Sequence, residues 1–296
     1  MVAVLLALVV WFTMGLNYGI DFRGGTTLRT QSDAPVDVAA YRTALAPLQL
    51  GDISISEVYD PASNSKKHVA MVRIQAQEGE EAATPEMISQ VEGALKTVAP
   101  NIVFTSVESV GPKVSGELIQ TAFLAVAASL GAILIYIWLR FEWQFSLGAV
   151  AALFHDVILT IGIFSVLQIR FDLPVIAAIL TIIGYSINDT VVIFDRLREN
   201  LRKYKKRDLR EIMNLSVNET LSRTLMTSGT TLLALLALLF LGGDVIRGFV
   251  FAITWGVIVG TYSSVYVAKN IVLFLGVKRD WSKKDNNTGQ YANIDA

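Results

Sequence analysis

The sequence predicts a polytopic α-helical membrane protein: six transmembrane helices, with one small extracytoplasmic α+β domain between the first and the second. Three observations carry this expectation. Of the 296 residues, 53% are hydrophobic and only 17% are charged, against about 25% charged in soluble domains. The apolar residues are clustered, because 118–277 hold several runs of membrane-spanning length while 21–117 read as ordinary soluble protein. Charge divides in the same way: 21–117 carry 8 basic and 13 acidic side chains (−5) and the rest carry 17 and 13 (+4), for a net −1. A soluble enzyme is excluded, and so is a nucleic-acid binder driven by bulk basicity. With no cysteine, disulfides, thiolate nucleophiles and Cys-based metal sites are absent.

A spanning helix needs about 20 mostly apolar residues. The candidates are 1–18, 118–139, 144–167, 174–195, 220–241 and 248–274. The first lacks the basic lead-in and small-x-small cleavage site of a signal peptide. It is expected to be a retained span whose cytoplasmic lead-in precedes this sequence. Short loops set the orientation. The loop 196–219 holds eight basic residues between Arg196 and Arg210, and the tail 278–296 adds Lys278, Arg279, Lys283 and Lys284. The opposite loops carry one each, Arg170 and Arg247. Both termini are therefore expected in the cytoplasm, and the domain 19–117 outside. Residues 203–221 alternate polar and apolar groups at helical spacing, which fits an interfacial helix leading into span five.

Within the outer domain, 26–30, 53–58, 68–74 and 102–110 read as strands by period-two alternation. Helices are expected over 35–48, opening with Pro35 after Asp33, and over 85–98, with Pro85 first and Thr84 as cap. A turn is expected at Ser63–Ser65. The order β-α-β-β-α-β is that of ferredoxin-like folds. Fold alone assigns no function, and a lone histidine, His68, supports neither a metal nor a redox site.

The informative residues are the polar ones at membrane depth, each costing roughly 2.5–3.5 kcal/mol on insertion scales. Asp156, preceded by His155, lies in the third span, and Asn188, Asp189, Asp195 and Arg196 lie in or just beyond the fourth. At 1.5 Å per residue, Asp189 is roughly 22 Å and Arg223 of span five roughly 27 Å from the outer surface. Their pairing across antiparallel helices is geometrically open. Thr181, Tyr185 and Asp189 recur every four residues, as do Gly148, Ala152, Asp156 and Thr160, and Arg223, Thr227 and Thr231. Gly256, Gly260, Ser264 and Ala268 form a small-xxx-small seam. Two readings stand: Asp156, Asp189 and Arg223 neutralise one another as static glue, or they form a titratable relay in a proton or ion path. Intramembrane proteolysis lacks its motifs, since GlyTyrSerIleAsnAsp (184–189) is not Gly-x-Gly-Asp and there is no Gly-x-Ser-x-Gly. No phosphate-binding loop is present.

These residues also carry a resemblance. GlyIleAspPheArgGlyGlyThr (19–26) resembles the first signature of the SecD/SecF family of the bacterial protein-export machinery. GlyTyrSerIleAsnAspThrValValIlePheAspArgLeuArgGluAsn (184–200) resembles the span-four signature of its SecF branch. ValGlyPro (110–112), ArgPheGluTrp (140–143) and LeuSerArgThrLeuMetThrSerGlyThrThr (221–231) follow in the expected order. An outer region of about 95 residues is too short for SecD. The resemblance implies a non-enzymatic accessory subunit of the Sec translocon, without cofactor or metal, in the resistance-nodulation-division superfamily. It would pair with SecD and use the proton-motive force to drive late translocation across the inner membrane. The partners implied are SecD, the SecYEG channel, YajC, YidC, the unfolded exported polypeptide and the lipid bilayer, with no nucleic acid. Asp189 matches the carboxylate linked to proton transport and Arg223 the arginine near it, with Asp156 as a further relay candidate. Asp21, Gly24, Gly25, Asn188, Asp195 and Arg196 fall on signature or coupling positions, while Gly256 and Gly260 serve helix packing. Arg23 receives no role. A small-molecule exporter half and a non-conducting assembly factor stand as alternatives.

Overall fold

The structure, a computed structural model, describes residues 2–51, 53–58, 67–76 and 84–277. The basic tail 278–296 and the turn expected at Ser63–Ser65 lie outside the described residues. Among the described residues, five helices are long and apolar enough to cross a membrane. They are α5 (Pro112–Arg140), α6 (Trp143–Leu167), α7 (Leu173–Lys203), α8 (Leu209–Leu241) and the stretch formed by α9 (Asp244–Tyr262), a π-helical segment (Ser263–Ala268) and α10 (Lys269–Leu275). The first apolar helix, α1 (Val2–Met14), is shorter than the expected 1–18. Its 13 residues rise about 20 Å. It stops because Gly15 turns to φ +68°, and the freed Gly15 carbonyl accepts from Ser165 Oγ of α6 at 2.6 Å.

A four-stranded antiparallel sheet follows the short helix α2 (Ile20–Arg23). Its strands are β1 (Gly25–Ser32), β2 (Ile53–Val58), β3 (His68–Gln75) and β4 (Val103–Val110), in the order β2-β3-β1-β4. Leu28, Val72 and Ile74 on one face pack against Tyr41 and Leu45 of α3 (Val38–Leu45) and Val91 and Leu95 of α4 (Pro85–Val98). Each fully buried Leu or Val there is worth about 1.5–3 kcal/mol. Thr84 caps α4, accepting from Met87 N. Helix α3 begins three residues later than Pro35 suggests. Asp37, not Asp33, is the cap, because its Oδ1 accepts from the amides of Ala39 and Ala40.

Between sheet and bundle the chain makes its tightest backbone passage at Gly24 and Gly25. Gly25 has φ +136°, and a Cβ there would drive into the Ile74 carbonyl of the neighbouring strand. Only glycine fits both demands. At the other end of the bundle Phe141, Phe145 and Phe194 form an aromatic trio with centroids 5.1–6.1 Å apart. Phe141 of the ArgPheGluTrp turn belongs to this contact. Of the stretch 203–221, residues 209–221 lead unbroken into the span as the first part of α8, since no glycine or proline interrupts them.

Gly25→Ala is expected to cost about 1–3 kcal/mol through strain at this φ. It should appear as a lower midpoint in thermal unfolding of the detergent-solubilised protein, with earlier protease cleavage between β1 and β3.

Candidate functional site

Helix α7 passes between α6, α8 and α9, and the candidate residues are arranged around it. Asp156 of α6 is 1% exposed. Its Oδ2 accepts from Ser186 Oγ of α7 at 2.6 Å and from Ser263 Oγ of the π segment at 2.7 Å. His155 Nδ1 lies 3.0 Å from Oδ1. Beside this knot, the hydroxyls of Thr190 and Ser264 are 2.9 Å apart, and Ser264 Oγ donates to the Ser186 carbonyl at 3.2 Å. Gly260 leaves the room, since a Cβ there would stand 3.3 Å from Ser186 Oγ and 3.6 Å from Asp156 Oδ2. Gly256, one turn earlier, lets α9 close onto Ile182 of α7.

Period-four spacing pointed to Ser264 and missed Ser263. The wide i→i+5 turn of a π segment inserts one residue into the helical register, so that both serines are fully buried. No sequence signal announced the π turn. Ser186 was equally hidden, because a serine four residues from Ile182 reads as small packing until Asp156 is placed opposite.

Asp189 stands one turn further along α7, about 4.5 Å from Ser186 in axial rise. It is 4% exposed, and its Oδ2 has no hydrogen-bond partner among the described residues. Asn188 beside it is exposed, and so is Arg223 of α8. Arg223 acts on Asp189 electrostatically, but no ion pair within 4.0 Å joins them among the described residues. Tyr185 Oη and Thr231 Oγ1, at 3.4 Å, link the two helices on this side. The structure therefore separates the three relay candidates. Asp156 is held in a closed knot, whereas Asp189 and Arg223 border an open face of the bundle.

Beyond Asp189, α7 is fixed by ions. Asp195 Oδ1 meets Arg140 Nη2 at 2.9 Å. Arg196 binds Glu219 and Glu199, each at 2.6 Å, and Asn200 Nδ2 donates to Glu219 at 2.7 Å. At its opposite end, the first amide of α7, Leu173 N, donates to Asp21 Oδ2 at 3.0 Å. A carboxylate 152 places away in the chain thus caps the helix, favourably placed against its dipole. Around this contact Arg170 and Asp172 pair at 3.1 Å. Burial pushes the Asp172 carboxyl above the usual range, with Asp21 adding to the effect and Arg170 opposing it. Burial, with Arg170 nearby, lowers Arg73 of β3 to about 10. Spacing alone did not reveal the grouping of Arg73, Arg170 and Asp172, because its members come from a strand and a distant loop. Among the described residues no group of three or more acidic or histidine side chains could hold a metal ion.

A bundle of spanning helices with buried carboxyls, joined to a small sheet domain through a paired-glycine passage, defines a multi-pass membrane protein of the transport class. The chain belongs to the SecD/SecF family. The model for "Protein export membrane protein SecD/SecF, C-terminal" matches residues 90–278, and that for the "SecD/SecF GG Motif" matches 9–36. The protein translocase subunit SecF of Cereibacter sphaeroides is 69% identical, covering 98% of this chain and 90% of that one. The SecF of Rhodobacter capsulatus is 60% identical, covering 99% and 90%. The crystal structure of SecDF, a translocon-associated membrane protein from Thermus thermophilus, aligns with a TM-score of 0.82 at 39% identity. It covers 93% of this chain, which spans 36% of the SecDF chain.

Ser263→Ala removes one donor from a buried carboxyl and should destabilise the protein by about 1–3 kcal/mol, read as a lower thermal midpoint in detergent. Thr230→Val on the exposed face of α8 should leave the midpoint unchanged.

Proposed function

We propose that this chain is the SecF-type subunit of a Sec translocon accessory complex, in which it pairs with a SecD subunit and uses the proton-motive force to draw exported polypeptide outward. The observation that carries the reading is Asp189: a buried carboxyl whose Oδ2 lacks a partner among the described residues, beside an exposed Asn188 and Arg223. A carboxyl without a fixed donor is free to exchange a proton. An arginine on the surface of a spanning helix costs roughly 2.5–3.5 kcal/mol against lipid, which supports a partner subunit covering this face. Family membership supports SecD as that partner.

On this reading α1 is the first of six spans, and the domain between α1 and α5 is ferredoxin-like, with β2-β3-β1-β4 order. The domain boundaries fall at 19–117 and 118–277. The protein lies in the inner membrane with both termini cytoplasmic and the sheet domain periplasmic, consistent with the basic α7–α8 loop. SecYEG, YajC, YidC and the unfolded substrate complete the assembly. Asp189 alternates between protonated and ionised states, Arg223 stabilising the ionised one when close. Each proton crossing the membrane releases about 2.3 kcal/mol per 100 mV. Asp21, capping α7 from the Gly24–Gly25 passage, and Asp195 and Arg196 at its other end make α7 the rigid link between proton site and outer domain. The Asp156 knot holds α6, α7 and the π segment in register around it.

Asp189→Asn should assemble with its partner yet abolish gradient-dependent export into proteoliposomes, and Arg223→Met should fail in the same way. Export by Asp189→Asn that still follows the imposed gradient would overturn the relay.

A further inference from the structure

Two adjoining cavities lie where the sheet domain meets the helices, and neither belongs to the polar track along α7. The larger, about 350 Å³, is an apolar cleft, at the low end of the range of about 300–1,000 Å³ for ligand pockets. Ile119, Ala122 and Val126 of α5 form one wall, Ile161 of α6 and Ile179 of α7 the other, and Phe22 of α2 roofs it. Its cause is the way α5 is held. Ser115 Oγ reaches the Ile20 carbonyl at 3.4 Å and Ile137 is fully buried, but no α5 residue between them is buried. The helix is held at Ser115 and again from Leu130 and Ile133, which pack against the bundle, to Ile137, and the cleft opens between these anchors. Val157 and Ile161 on the cleft wall lie ten and six residues from the end of α6 at Leu167, about 15 and 9 Å deep. That depth is one leaflet's share of a hydrocarbon core about 30 Å thick.

The smaller cavity, about 140 Å³, is polar and shares Tyr18 and Arg23 with the cleft. Arg23, Arg73, Asn17, Ser54 and Gln75 line it, and among the described residues no carboxylate does. Arg73 Nε is buried without an acceptor among the described residues, and its Nη2 faces only the Met71 sulfur at 3.0 Å, a weak acceptor. Buried donors of this kind call for a partner. Arg23 is exposed, with its guanidinium over the Tyr18 ring, 5.9 Å from the centroid. Two guanidinium groups with unused donors match the geometry of a phosphate.

We propose that the joined cavities bind one phospholipid with an anionic headgroup, an acyl chain lying in the cleft beneath α2 and the phosphate held between Arg23 and Arg73. The site rests on the helices crossing a membrane, not on the proton relay. An acyl chain fills an apolar cleft that opens at leaflet depth. No carboxylate among the described lining residues is placed to receive an ammonium headgroup, so phosphatidylglycerol fits better than phosphatidylethanolamine.

The test is native mass spectrometry of the full chain, delipidated in mild detergent and titrated with phosphatidylglycerol. One lipid per chain is expected, with phosphatidylethanolamine of the same acyl chains binding about tenfold more weakly. The double variant R23Q/R73Q should lose about tenfold or more in affinity. Ala122→Trp, which fills the cleft, should bind no better than that variant while Arg23 and Arg73 remain. Thermal midpoints identify any variant that fails to fold, and the exposed R23Q alone, several-fold weaker, then carries the comparison. Wild-type affinity in R23Q/R73Q, or equal binding of the two lipids, would overturn the proposal. So would displacement of the lipid by excess inorganic phosphate, which would reduce the site to a phosphate pocket, or by an apolar peptide, which would make the cleft a polypeptide groove.

Discussion

A membrane interior contains no water to satisfy a polar group, so every donor and acceptor placed there must find its partner within protein. The bundle is organised by that constraint, and α7 is where it acts most strongly. Its first amide is capped by Asp21, its middle is tied to Asp156 through Ser186, and its far end is held by Arg140, Glu199 and Glu219. Asp189 departs from the rule, its Oδ2 lacking a hydrogen-bond partner among the described residues.

The same constraint explains why small residues accumulate where α9 meets α7. Hydrogen bonds as short as 2.6–2.7 Å to Asp156 require backbones in close approach, which Gly256 and Gly260 permit. The π segment then turns Ser263 toward the carboxyl without displacing Ser264. Packing and polar satisfaction are one problem here, solved by removing side-chain bulk on one helix and supplying hydroxyls on both.

At the domain boundary the governing factor is desolvated charge. Arg73, Arg170, Asp172 and Asp21 converge beneath the sheet, and burial shifts Arg73 and Asp172 toward their neutral forms. The junction is therefore electrostatically tense compared with the hydrophobic core of the sheet domain. Asp21, which caps α7, and the Gly24–Gly25 passage lie at the same boundary.

Much of this was legible in the residues. Long apolar runs specify spanning helices because the hydrocarbon core sets their length, and period-two and capping patterns specify strands and helix starts because they depend on neighbours in the chain. Asp156, Asp189 and Arg223 stood out because ionisable groups are rare at that depth. What tertiary structure alone decided was which of them share a site. Asp156 is satisfied by Ser186 and Ser263, residues 30 and 107 places away, while Asp189 Oδ2 has no hydrogen-bond partner among the described residues and Arg223 is exposed. Hydrogen bonds between helices depend on rotation and register about each axis, and a single π turn alters both. Periodicity within one helix carries no record of how far its neighbour has turned.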